Sequence, residues 1–105
     1  MDKLEKIKKA IDLKVKIRFR MRDSPQGQYI LFHPYAVTME VLTSKILIYG
    51  LIERHYTMTE DFNQIKFPNI EFIDEVILTS EKFEPKNDWM KEIDKSEIDC
   101  IYKLS

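Results

Sequence analysis

The feature that most constrains this chain is a change of hydrophobic period just after its first dozen residues. Over residues 14–22 apolar and cationic side chains alternate without a break. Val15, Ile17, Phe19 and Met21 point one way, and Lys14, Lys16, Arg18, Arg20 and Arg22 the other. A period of two sends successive side chains to opposite faces of a strand, so this segment reads as a half-buried strand with one cationic face. The residues before it keep a helical period. Leu4, Ile7, Ala10 and Ile11 share one helix face, and Asp2 followed three residues later by Glu5 forms a capping-box pattern. A short helix with outward-facing lysines is predicted to lead into the strand.

The rest of the chain continues in short apolar runs. Asp23-Ser24-Pro25-Gln26-Gly27 carries turn chemistry, and residues 29–32 resume a strand up to His33-Pro34. Residues 36–42 and 45–53 are two further strands separated by Thr43-Ser44, the second apolar enough to be buried on both faces. Residues 55–66 read as a loop and a strand that Phe67-Pro68-Asn69 interrupts, since proline cannot donate to a ladder. Residues 75–78 form a strand running towards Phe83, residues 88–95 hold one or two helical turns, and residues 98–104 form a last strand. One helix followed by six or seven short strands predicts a mainly β fold, a small and strongly bent antiparallel barrel. The barrel is expected over about residues 1–85, with a C-terminal extension over 86–105, all within a single domain.

Composition excludes several function classes. Cys100 is the sole cysteine, so there is no internal disulfide and no zinc site built on thiolates. Only Gly27 and Gly50 are glycines, which leaves no phosphate-cradling loop. His33 and His55 have no metal-ligand or nucleophile–base spacing with Cys100, which reads as a small buried thiol. The carboxylate pairs Glu60-Asp61 and Asp74-Glu75 are sequence neighbours whose side chains diverge on a strand. No catalytic residue, metal or cofactor is therefore expected. The start of the chain lacks the apolar run of a secretory signal, and no stretch approaches the roughly 18 apolar residues of a membrane span. A cytoplasmic protein without a membrane partner is expected.

The order of features resembles the WYL domain, an Sm-like small barrel of bacterial regulators. The likeness rests on the helix leading into Val15-Lys16-Ile17-Arg18-Phe19, on His33-Pro34-Tyr35, and on Ile46-Leu47-Ile48 where the Trp-Tyr-Leu tripeptide would lie. It continues through Lys66 to Ile73, then Val76 and Phe83. In that segment Lys66, Asn69 and Phe72 stand at the family's three arginines, so the apolar skeleton is kept better than the anion-binding chemistry. The resemblance implies a ligand-sensing module with a regulatory role.

Charge sign is unevenly placed along the chain. Residues 1–22 hold nine Lys/Arg against three carboxylates, and the remainder holds eight against fifteen. On the first strand, same-face cations about 6.7 Å apart repel by about 0.6 kcal/mol in water, a cost a folded domain tolerates without a ligand. Two readings stay open. Carboxylates such as Glu40 or Glu53 compensate the stripe across the ladder, or the stripe receives an anion. In the second case a nucleotide or single-stranded nucleic acid is the expected partner. Arg18, Arg20 and Arg22 would grip phosphates, Lys16 and Lys66 would supply field, and Tyr35 would stack on a base. Core packing is the commoner fate of an aromatic ring; Tyr29, Tyr35 and Tyr56 flank turns or polar stretches and are the better candidates for exposed ones. The alternative function is a protein-interaction or self-assembly module, the basic face meeting an acidic surface of a protein partner or of a second copy in a homo-oligomer.

Overall fold

The computed structural model describes residues 2–23, 28–55, 63–93 and 97–104. Helix α1 (Lys3–Leu13) starts where the capping pattern places it, with the Asp2 carboxylate accepting from the Glu5 amide at 2.8 Å. It buries Ile7, Ala10 and Ile11. It ends because Lys14 adopts the left-handed conformation (φ 55°) and turns its N–H back onto the Ala10 and Ile11 carbonyls. Lys14 is thus a helix cap, and the first strand begins one residue later than expected.

Six antiparallel strands follow among the described residues: β1 (Val15–Met21), β2 (Ile30–Glu40), β3 (Ile46–His55), β4 (Gln64–Lys66), β5 (Ile73–Lys82) and β6 (Ile98–Lys103). Their order is β4-β3-β2-β1-β5, with β6 added to β2. A one-turn 3-10 segment, Ile70–Phe72, links β4 to β5. No ladder joins those two strands among the described residues, so the sheet curls but is not closed into a barrel.

The largest difference from the sequence reading lies in β2. His33-Pro34 does not end a strand; one strand of 11 residues runs through it. Pro34 lies opposite Gly50, at a register irregularity between Pro34 and Ala36. A Cβ on Gly50 would come 2.2 Å from the His33 carbonyl oxygen and 2.6 Å from the Phe32 ring. A glycine is therefore what allows the two backbones to approach where the proline bends the strand. The bend lets β2 serve two partners, β1 through Ile30–Phe32 and β6 through Ala36–Glu40. The strand then stops short of the expected residue 42, leaving Val41 and Leu42 exposed in the turn.

The core cluster of the described residues contains Ile7 from the helix, Ile17 and Phe19 from β1, Phe32 from β2, Ile48 from β3 and Val76 from β5. Ile93 and Leu104 belong to the same cluster, so the C-terminal extension completes this core. The 3-10 segment Trp89–Glu92 replaces the expected helical turns, and the Trp89 carbonyl accepts from the Tyr49 hydroxyl at 2.6 Å. Buried Thr38 is satisfied by the Leu47 carbonyl at 3.0 Å.

Two smaller readings are corrected. Cys100 lies exposed on β6 rather than buried. The helix lysines are not all solvated: Lys3 Nζ donates to the Ile70 and Ile73 carbonyls, at 2.8 and 2.7 Å, and Lys6 Nζ to the Val76 carbonyl at 3.3 Å. These lysines cover carbonyls of the 3-10 segment and of the β5 edge, where an unpaired strand invites another chain.

Candidate anion-binding face and the apolar mouth

The alternation of β1 puts Ile17 and Phe19 in the core and Lys16, Arg18 and Arg20 on the outer face. What each cation meets there is set by the register of its neighbours. Lys16 lies between two irregularities. On β3, Leu31 pairs with Arg54 while Phe32 pairs with Ile52, so Glu53 is an extra residue bulged onto the outer face. On β5, Val15 pairs with Lys82 but Ile17 with Leu78, and the Thr79 hydroxyl donates to the Lys16 carbonyl in place of a ladder bond. Lys16 Nζ consequently sits 2.9 Å from Glu53 and 3.7 Å from Glu81, with 19 % of its side chain exposed.

His33 completes this cluster. Its Nε2 is 2.8 Å from Glu53, and Phe83 stacks on its ring at 5.0 Å. Burial lowers the imidazole pKa below 6.5 and outweighs the opposing pull of Glu53. The ring is therefore neutral at pH 7, with Nε2–H donating to Glu53 and Nδ1 left as an acceptor. Burial pushes the Glu53 carboxyl up, but hydrogen bonds from Lys16 and His33 and the Lys16 charge outweigh it and hold the group below 4.5. His33 Nδ1 is buried without a hydrogen-bond partner. A general base needs its free nitrogen within reach of a substrate proton, and this one is covered. The arrangement holds charge in place between three strands.

The other cations divide. Arg20 Nη2 is 2.8 Å from Asp74, and Tyr29 donates to Glu75 at 2.8 Å beside it. Arg22 has left the strand and donates to the Glu71 carbonyl at 2.6 Å. Arg18 is exposed, and its cross-strand neighbours are apolar: Leu31 on β2 and Ile77 on β5. Leu31 in turn pairs with exposed Arg54. One row across the outer face therefore reads Arg54, Leu31, Arg18, Ile77. Arg54 was not singled out in the sequence, where it lies far from the stripe; only the bulge at Glu53 turns it to this face.

Tyr35 is not on that face. Because the strand continues through Pro34, the ring lies in the middle of β2, 1 % exposed, among Tyr49, Phe83 and Trp89. No base can stack on it. Lys66 is exposed on β4, across the sheet from the stripe. Of the other expected features, the turn residues 24–27, Tyr56 and the Glu60-Asp61 pair lie outside the described residues.

A second candidate region opens inside the curl. A cavity of about 360 Å³ lies between β1 and the Phe67-Pro68 segment, walled by Phe19, Met21, Ile30 and Ile52. His55 and Lys66 complete its lining. Among the described residues no three His, Cys, Asp or Glu side chains converge on a point that would hold a metal ion, and no helix is long and apolar enough to cross a membrane.

Fold and sites together define a mainly β antiparallel sheet with one N-terminal helix, a charged outer face and an apolar mouth. No protein-family model, curated protein or solved structure matches the chain.

Proposed function

We propose that this protein is a non-enzymatic binding or sensing module whose outer sheet face takes an anionic ligand, a nucleotide or a short single-stranded nucleic acid. The observation that carries this reading is the row in which Arg18 and Arg54 flank Leu31. Two strand spacings of about 4.8 Å separate the arginine backbones, so their guanidinium forks reach one phosphate together or two successive phosphates. Leu31 and Ile77 supply an apolar floor between and beside them. Lys16 and Arg20 are held by carboxylates of the neighbouring strands, and each keeps only a small part of its side chain exposed.

The course of the chain also supports kinship with the Sm-like WYL domain: α1 leads directly into β1, Ile46–Gly50 lies in β3, and the segment from Lys66 to Ile73 links the two ends of the curled sheet. A regulatory role in the bacterial cytoplasm follows from that kinship.

The test is a fluorescent oligonucleotide titrated at several salt concentrations. Two phosphate contacts predict a logarithmic salt slope of about −1.4 for a single strand. Arg18→Glu combined with Arg54→Glu should abolish binding with little change in melting temperature, whereas Arg20→Glu should have the smaller effect. Absence of binding at low salt, or full binding by the double variant, rules the reading out. The exposed carboxylates Asp74, Glu75 and Glu81 on β5 favour a second reading, a self-assembly module in which the basic face meets this acidic edge of another copy. That reading takes over if the double variant dissociates an oligomer in analytical ultracentrifugation.

A further inference from the structure

Beyond the end of β5 the chain crosses the sheet without helix or strand. β5 stops at Lys82 and the 3-10 segment begins at Trp89, so residues 83–88 form a strap between them. Its backbone is tied by the Phe83 amide, which donates to the Lys14 carbonyl at 3.0 Å, and by the Lys86 amide, which donates to the Tyr35 hydroxyl at 3.2 Å. Ring contacts hold the rest. Phe83 is buried, stacked on His33 with ring centroids 5.0 Å apart and tilted against Tyr35 at 5.7 Å. A segment outside the ladders lies at the low end of local stability, so a change at His33 is felt here first.

What His33 does on taking up a proton is set by its two nitrogens. Nε2 already donates to Glu53 and keeps that bond in the imidazolium. Nδ1 turns from an acceptor into a second donor, yet it is buried and has no hydrogen-bond partner. Phe83 meets the imidazole face to face, so an in-plane Nδ1–H points past it. A buried donor left unmet is costly, and the new charge adds to the cost of burial.

The surrounding charges leave that cost in place. Glu53 on β3 is engaged with Lys16 of β1, and Glu81 near the end of β5 lies against Lys16 as well. Beside the ring opens a cleft of about 270 Å³, lined among the described residues by His33, Tyr35, Leu51, Asn63, Glu84 and Lys86. Lys86 has the sign of an imidazolium and repels it. Water and the exposed Glu84 carboxylate are acceptors that the cleft provides.

We infer that residues 83–88 are a pH-sensitive strap: protonation turns the His33 ring out of its stack with Phe83 towards this cleft, and the strap loosens and uncovers Tyr35 while the sheet beneath stays paired. The device does not depend on ligand binding at the arginine row.

Proton NMR of the full chain, titrated from pH 7 downward until the His33 ring shifts show it protonated, tests this directly. The nuclear Overhauser contact between the His33 and Phe83 rings should be strong at pH 7 and vanish with the midpoint of the ring's own titration. Amide exchange, corrected for its intrinsic dependence on pH, should lose protection about tenfold at Phe83 and Lys86, the size expected of one unmet buried donor. The amide of Ile48, which donates to the Pro68 carbonyl away from the strap, should change by less than about twofold. His33→Gln keeps a donor for Glu53 and should remove the pH dependence at Phe83 and Lys86. Should that variant be unfolded, the ring contact in the unaltered chain decides. A stack that outlasts protonation of His33 overturns the strap, as does an equal loss at Ile48 or a loss of unchanged size in folded His33→Gln.

Discussion

Lys16 and Arg18 are two residues apart on one strand, on one face and of one sign, yet their surroundings are opposite. Lys16 is held between Glu53 and Glu81 beside a neutral histidine. Arg18 lies exposed between Leu31 and Ile77, in line with Arg54. The difference arises from the neighbouring strands. Irregular register on β3 and on β5 delivers a carboxylate to the Lys16 row from each side, while the Arg18 row receives aliphatic residues from both. A uniform stripe in the sequence thus becomes two environments, one largely buried between carboxylates, the other exposed beside aliphatic residues.

The comparison depends on the two faces of β1 being assigned correctly, and this is where the largest effect lies. Phe19→Ala should cost about 3–5 kcal/mol in urea unfolding, because the ring is fully buried against Phe32 at 5.4 Å. Arg18→Ala should change stability by less than about 0.5 kcal/mol. Equal losses would mean that the strand is rotated, and the contrast between the rows would collapse with it.

The closed row can be broken from its centre. Glu53→Ala strands Lys16 and half-buried His33 without their shared acceptor, and should cost about 1–2 kcal/mol after allowing for their partial exposure to water. Asp74→Ala removes a more exposed partner, that of Arg20, and should cost no more than about 1 kcal/mol. If the two losses are equal, the closed row is no tighter than the surface pair. Loss of Glu53 should also lower the His33 pKa further, readable by proton NMR titration, since that carboxylate is what draws it upward.

The smallest effect sharpens the closed row by pH. His33 has a folded pKa below its ordinary 6.5, so the unfolded chain takes up the proton first as pH falls. Its contribution is complete above about pH 6.5 and is lost below it, and Glu53 adds a second loss below about 4.5 for the same reason. Melting temperature should therefore decline between pH 7 and 5. His33→Gln keeps a donor for Glu53 without a titrating ring and should flatten that interval. A decline of unchanged size in the variant would place the titrating group elsewhere.

Much of this was legible from local pattern. The cap at Asp2, the helical period of Leu4 to Ile11 and the alternation of β1 are encoded by residues close in the chain, and all three appear, the strand shorter by Lys14 and Arg22 at its ends. Pro34 misled because a proline forbids only its own N–H, and a strand survives it when a glycine stands opposite. Tyr35 misled for the same reason: it seemed to flank a turn that the strand does not make. Cys100 was expected inside because small thiols usually are, but β6 adds to β2 with that side chain outward.

By itself the sequence determined a helix, a run of short strands, the inward residues of β1 and the positive sign of its outer face. Those properties need only the geometry of a helix turn and a pleat. The tertiary structure alone decided which carboxylates reach Lys16 and Arg20, that Arg54 joins Arg18, that Tyr35 is core, and that the inner face opens into an apolar mouth. Each of these depends on which residue of another strand comes to lie opposite. One bulged residue at Glu53 shifts that correspondence, and no periodicity within β1 records it.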